Sequence, residues 1–316
     1  MSDCPHVCFS GRLAAVVLCA WVLSLPWAAI AAEGLSITEI APGIYLHQGV
    51  QEETSRANRG DIANIGFIVG AQRVAVIDTG GSLAEGRALR AAIRRVTNLP
   101  IAYVILTHMH PDHVLGAKAF EQDGPEFIGH VNLPDALARR GTFYLQRARA
   151  ELGDEAEGTR VVMPTSTVAD ARRLDLGGRM LELRAYPTAH TNNDLSVFDE
   201  KTGTLWLSDL LFVGRLPVID GSLLGWLRVM DGLAHDQAAK VVPGHGPVPD
   251  DWRTALADQR RYLETVAAGV RKVIQRRGTI EDAVAEVAQG ERASWLLFDA
   301  YNGRNVTAAF VELEWE

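Results

Sequence analysis

The stretch Thr107-His108-Met109-His110-Pro111-Asp112-His113 follows an apolar run, Ala102 to Leu106, and places three imidazoles and one carboxylate within six residues. Side chains two apart on an extended backbone point the same way, so His108 and His110 can grip one metal ion together. Asp112 and His113 are neighbours that diverge, which suits a second ion beside the first. A set this dense would be costly to bury without a cation to satisfy it. Met109 is expected to pack beneath the motif, because a thioether suits softer metals than imidazole and carboxylate do.

The same pattern, an apolar run ending in ionisable residues, recurs along the chain. VAVI precedes Asp78, LWL precedes Ser208-Asp209, and VV precedes Pro243-Gly244-His245. Strands that all release reactive groups at one end build a site along a sheet edge. His190 can then complete three imidazoles on the first ion, Asp209 can bridge two cations through its two oxygens, and His245 can finish the second site. Taken alone, each reads as a turn or loop residue; together with residues 107–113 they read as ligands. His6, His47, His130 and His235 lack partners at ligand spacing and are expected to be surface or packing residues.

Short apolar runs alternating with amphipathic helices predict a layered α/β architecture. Strands are expected at Gly66–Val69, Arg73–Ile77, Ala102–Leu106, Glu126–Ile128, Met180–Arg184, Leu195–Phe198, Thr204–Leu207 and Ala239–Val242. Helices are expected over Ser82–Asn98, with Ser82 and Glu85 as a capping box, and over Asp251–Arg277, with Thr279 capping a shorter helix after it. Pro134–Gly153 reads as mixed helix and loop.

The 316 residues carry 31 basic against 39 acidic side chains, a formal charge of −8, which leaves no surplus to neutralise a phosphate backbone and argues against a nucleic-acid partner. Leu13 to Ala32 is one apolar stretch behind Arg12 with a small-residue end. It reads as a secretory signal peptide over residues 1–31, in preference to a membrane anchor, followed by a single domain over 32–316. Cys4, Cys8 and Cys19 all lie in that segment, so the expected mature, periplasmic chain has neither disulfides nor a thiol ligand.

The series His108-x-His110-x-Asp112-His113, then His190, Asp209 and His245, resembles the metallo-β-lactamase-fold hydrolases in order and spacing. The resemblance implies a four-layer αβ/βα sandwich with a dinuclear site at one edge between two sheets. It also implies that Asp78 steadies the histidine loop without touching a metal. Residues 58–64 (Asn58-Arg59-Gly60-Asp61-Ile62-Ala63-Asn64), 210–217 and 305–310 are similar to the SoxH-related, quinoprotein-relay-system zinc metallohydrolases, exported proteins associated with pyrroloquinoline-quinone dehydrogenase systems. A periplasmic quinoprotein dehydrogenase is the partner that this branch implies. Asp209 stands where some β-lactamases of the fold use cysteine. Gly246-Pro247-Val248 after the last histidine departs from glyoxalase II and argues against glutathione thioesters.

The expected chemistry is hydrolysis of a small-molecule ester, lactone, lactam or thioester-like bond. Two cations about 3.5–4 Å apart would bring the pKa of a bound water toward ~7, with Asp112 orienting the nucleophile. Two zinc ions fit these ligands, and iron or manganese would be accepted too. Two other readings stay open: a mononuclear non-haem iron oxygenase of sulfur compounds, and a non-catalytic periplasmic accessory protein. Pocket walls are expected from the Gln51–Asn64 loop, Phe212, Arg215 and Trp226. Arg215 is read either as a partner for an anionic substrate group or as a surface ion pair.

Overall fold

A computed structural model describes residues 1–3, 6 and 34–316. The apolar stretch Leu13–Ala32 lies outside the described residues. Among those described, no helix is long and apolar enough to cross a membrane. Residues 34–316 form two sheets. The first joins seven strands in sequence order: β1 (Thr38–Ala41), β2 (Ile44–His47), β3 (Ile65–Val69), β4 (Val74–Ile77), β5 (Ile101–Ile105), β6 (Glu126–His130) and β7 (Ser166–Val168). The second holds β8 (Ala171–Asp175), β9 (Met180–Ala185), β10 (Leu195–Asp199), β11 (Thr204–Phe212) and β12 (Lys240–His245), also in sequence order. Pairing is antiparallel from β1 to β4 and parallel from β4 to β7; in the second sheet only β11 and β12 run parallel.

Strand periodicity explains the layering. Successive side chains point to opposite faces, so in β4 Ala75 and Ile77 face the second sheet, while Val74 and Val76 face helices. Leu181, Leu183, Val197 and Trp206 answer from the second sheet to close the inner core. Trp206 reaches the first sheet because Gly66 stands opposite, where a Cβ would come within 2.7 Å of its ring. The outer face of the first sheet is covered by α1 (Leu83–Val96) and α3 (Leu133–Leu152), with the single turn α2 (Pro111–Val114) between them. The outer face of the second is covered by α4 (Leu223–Leu233), α5 (Trp252–Gln275), α6 (Ile280–Glu286) and α7 (Phe298–Leu313). The order helix, sheet, sheet, helix is the four-layer sandwich that the resemblance implies.

The observed elements depart from the sequence reading in several places. Residues 133–152 form one continuous helix, not a mixture of helix and loop. Its buried positions, Leu133, Leu137, Gly141, Tyr144, Ala148 and Leu152, keep helical spacing, but the small residues among them weaken the apolar signal. β11 runs on to Phe212 rather than stopping at Leu207, carrying Ser208-Asp209 within it. The edge strands β1, β7 and β8 are short and largely polar, so no alternating pattern marks them. The expected capping box on α1 is half formed: Ser82 Oγ accepts from the Glu85 amide, whereas the Glu85 carboxylate turns back to the Gly81 amide.

Buried polar contacts fasten the sheets to each other at both rims. On one, Arg179 makes a bidentate pair with Asp199 and donates to Val69 O. On the other, Asn64, fully buried at the head of β3, donates to Pro243 O at 2.9 Å and Gly246 O at 2.8 Å. Replacing Asn64 with alanine leaves two interior carbonyls without donors, each at a cost of about 1–3 kcal/mol. Urea unfolding of Asn64→Ala is expected to show a loss of about 2–4 kcal/mol with an unchanged m-value.

Candidate metal centre

All seven ligands expected from the sequence meet at the Asn64 rim, where β4, β5, β11 and β12 end. His108, His110, His190 and Asp209 bring one ligand atom each to within 4.8 Å of one another, and Asp112, His113 and His245 form a second such group. Asp209 lies between them. Its Oδ2 is 3.2 Å from His190 Nε2 and 3.5 Å from both His108 Nε2 and His245 Nε2, and its Oδ1 is 3.1 Å from His113 Nε2. Asp112 Oδ2 is 3.3 Å from His245 Nε2.

The backbone bends to produce this convergence. β5 ends at Ile105, and Pro111 starts the turn α2 at its first position, which its missing N–H allows. Asp78 (φ 56°) and Ser208 (φ 49°) occupy the left-handed region, rare for residues with a Cβ. The register between β11 and β12 shifts on both sides of Ser208, so the strand is re-aimed where Asp209 leaves it. Gly244 is required beside it, because a Cβ there would lie 1.9 Å from Asp209 Oδ1.

Four of the five rings are oriented from behind by a carboxylate or carbonyl acceptor, and that fixes which nitrogen faces the centre. His113 Nδ1 donates to Asp78 Oδ2 at 2.8 Å, His190 Nδ1 to Val218 O at 2.7 Å, and His245 Nδ1 to Ile62 O at 2.7 Å. His110 is turned the other way, with Nε2 donating to Asp220 Oδ2 at 3.0 Å and Nδ1 facing inward. Asp78 also accepts from the Thr107 amide and hydroxyl, both at 2.8 Å, which pins the start of the histidine loop.

The inward atoms therefore carry lone pairs that confront one another and two carboxylates. His110 Nδ1 and His190 Nε2 are 3.0 Å apart. His108 Nε2, His113 Nε2 and Asp209 Oδ1 are buried without any hydrogen-bond partner. Acceptors packed this way need cations between them, and the donor set of imidazole nitrogen and carboxylate oxygen fits a pair of divalent metal ions. Burial first, then neighbouring imidazoles, pushes His108 and His110 down to about 4, so both are neutral ligands at pH 7. Burial opposes charge on His113 as well, but Asp209, Asp78 and Asp112 outweigh it and raise its pKa. Burial also works against charge on Asp112, yet His113 and His245 hold its carboxyl far below the usual range.

A cavity of about 360 Å³ opens over this centre. Phe212 and Arg215 line it, as do Glu53, Thr54 and Ile62 of the 51–64 loop. Phe212 stacks on His245, with ring centroids 5.0 Å apart. Trp226 does not line the cavity: it is fully buried behind His190, 5.2 Å between centroids, and donates to Leu210 O. Arg215 is no surface ion pair. It is 3% exposed, meets no carboxylate among the described residues, and leaves its Nε without a partner.

Sequence reasoning did not find Asp220, which accepts from His110 and from both ends of the Arg140 guanidinium at 2.7 and 3.1 Å. Burial raises the Asp220 carboxyl, but His110 and Arg140 together bring it down to about 2. Its position 110 residues beyond His110 leaves no spacing signal. Asp78 supports His113 without reaching the inner face, so Asp78→Asn is expected to weaken metal binding about 10–100-fold while the fold persists. Competition with a chromophoric chelator measures the affinity, and circular dichroism checks the fold.

The sequence model of the Metallo-beta-lactamase superfamily matches residues 58–245. A linear primary-alkylsulfatase of Pseudomonas sp. (strain ATCC 19151) is 36% identical over 58 residues, 18% of this chain and 11% of that protein. A beta-lactamase-like protein 2 homolog of Caenorhabditis elegans is 25% identical over 182 residues, 57% of this chain and 54% of that one. The chain thus spans about a tenth and about half of the length of these curated relatives. Among solved structures, a metallo-beta-lactamase from Pontibacter korlensis superposes with a TM-score of 0.59 at 19% identity, covering 73% of this chain and 99% of that one. The sec-alkylsulfatase Pisa1 from Pseudomonas sp. superposes with a TM-score of 0.67 at 18% identity, over 88% of this chain and 50% of that one. With a family match that runs from Asn58 to the last ligand, His245, and includes every residue of the centre, the chain belongs to the metallo-beta-lactamase superfamily.

Proposed function

We propose that the protein is a dinuclear zinc hydrolase that cleaves an ester-type bond in an anionic small molecule. The observation that carries this reading is Asp209 standing between two ligand groups, within 3.5 Å of imidazoles from both. His108, His110 and His190 would hold one ion, Asp112, His113 and His245 the other, and Asp209 would touch both. Divalent cations held there supply Lewis acidity, which polarises a substrate oxygen and makes water acidic enough to act as nucleophile near neutral pH.

The chain's own residues supply position and charge. Asp112 lines the cavity with its carboxyl ionised, so it can accept a hydrogen bond from an attacking water and direct the water's lone pair at the substrate. Phe212, Leu115 and Ile219 give the cavity apolar surface that keeps bulk water away from the bond under attack. Arg215, buried beside His245 with a partnerless Nε, supplies the charge that recognises an anion, and Arg304 adds positive charge at the wall, whereas Arg140 and Arg147 are paired with Asp220 and Glu151. The alkylsulfatases among the relatives support sulfate esters as the first substrates to test, with carboxylate-bearing esters and lactones beside them. Export to the periplasm and association with a quinoprotein dehydrogenase belong to the same proposal. They rest on the apolar stretch Leu13–Ala32 and on the resemblance of residues 58–64, 210–217 and 305–310.

Purified protein is expected to carry two zinc ions in the dinuclear centre and to turn over an anionic ester in a hydrolytic panel. One iron per chain with oxygen uptake would overturn the hydrolytic reading. Asp209→Ala should abolish turnover and cost one metal equivalent by elemental analysis. Arg215→Met should raise KM for an anionic ester about tenfold or more, about 1.4 kcal/mol, and leave a neutral analogue little changed. Equal losses on both substrates would remove the anion assignment.

A further inference from the structure

A third group of ligating atoms lies outside the centre described above. His47 closes β2, Asp61 lies in the 51–64 loop and Glu85 sits in the first turn of α1; each offers one ligand atom, all within 4.8 Å of one another. The sequence separates them by 14 and 24 residues, so no spacing reveals the group, and His47 is not the partnerless residue its sequence context implies.

The hydrogen-bond partners show what the group lacks. His47 Nδ1 is 2.7 Å from Ser36 O, a carbonyl that can only accept, so Nδ1 carries the proton. Nε2 then faces Asp61 Oδ1 at 2.7 Å, an acceptor facing an acceptor unless Nε2 is protonated as well or both atoms ligate one cation. Glu85 is 4% exposed; its Oε2 accepts the Gly81 amide at 2.7 Å, and its Oε1 is buried without any partner. Among the described residues, neither Asp61 nor Glu85 is paired with an arginine or lysine, and the only ion pair of Asp61 is with His47. Burial first, then the nearby Asp61, raises the pKa of the Glu85 carboxyl, so two carboxyls brought this close share either a proton or a cation.

We propose that His47, Asp61 and Glu85 bind a third divalent cation, of the zinc or manganese class, with a structural role. One imidazole and two carboxylates suit that class, whereas calcium sites are built from six to eight oxygens. The side chain of Asp61 is 26% exposed, which leaves a way in from solvent and room for water to complete the coordination. The ion would staple β2, the 51–64 loop and the start of α1. Ile62, the neighbour of Asp61, supplies the carbonyl that orients His245, so the staple lies one residue behind a ligand of the dinuclear centre. The competing occupant is a proton, which would turn His47 into an imidazolium paired with Asp61.

The full-length protein, loaded with Zn2+ or with Mn2+ and freed of excess ion by gel filtration, separates the two. Elemental analysis is expected to give one metal equivalent more in the wild type than in His47→Gln or Glu85→Gln, whatever the occupancy of the dinuclear centre. An unchanged metal count in both variants would overturn the proposal. Asp61→Asn, at a partly exposed loop position, takes the place of either variant if it fails to fold. Anomalous diffraction at the metal edge provides an independent test. A peak among the three side chains supports the site, and its absence at a wavelength where the dinuclear ions scatter strongly refutes it.

Discussion

Five imidazoles, four of them aimed by hydrogen bonds made on the far side of the ring, converge on two carboxylates. Asp78, Asp220 and the carbonyls of Val218 and Ile62 do the aiming, and none of these groups faces the inner space itself. Within the protein alone this is an unfavourable arrangement, since lone pairs repel and buried charge is costly. Two sheets packed face to face, fastened by Asn64 at that rim, hold the groups in place against the repulsion. Much of the local oddity has the same cause: the left-handed backbone at Asp78 and Ser208, the register shift in β11 and the space kept at Gly244 all serve the convergence.

Electrostatics assigns different tasks to residues of the same type. His108 and His110 are buried among other imidazoles and stay neutral, while His113, surrounded by three carboxylates, attracts positive charge. Arg215 and Arg140 differ in the same way. Arg140 commits its guanidinium to Asp220 and so steadies His110, whereas Arg215 meets no carboxylate and leaves its buried Nε without a partner. The wall and the metal centre are thus linked through Asp220, which serves both.

How much of this could be read in the sequence depended on range. The ligands at residues 108–113 announce themselves because four chemically matched groups crowd one loop. Asp209 and His245 follow because each succeeds an apolar run and strand ends share a rim; His190 has no such run before it and follows only as the third imidazole that the first ion needs. The layered fold was legible from the same runs. What escaped were features without local signature. Asp220 meets His110 only through the tertiary fold, and Glu85 reads as a helix cap because its other oxygen does cap Gly81. α3 hid its buried face behind Gly141 and Ala148. Trp226, close in sequence to the loop that carries Arg215, belongs to the core behind His190 because helical α4 turns it inward.

Both sheets contribute to the centre: His108, His110, Asp112 and His113 follow β5, whereas His190, Asp209 and His245 come from the later half of the chain. During synthesis the first four residues emerge long before the last. A nascent chain that ends before Asp209 holds at most five of the seven candidate ligands. The complete set exists only once β11 and β12 have docked, so an ion held by all seven residues would report that the two halves are assembled.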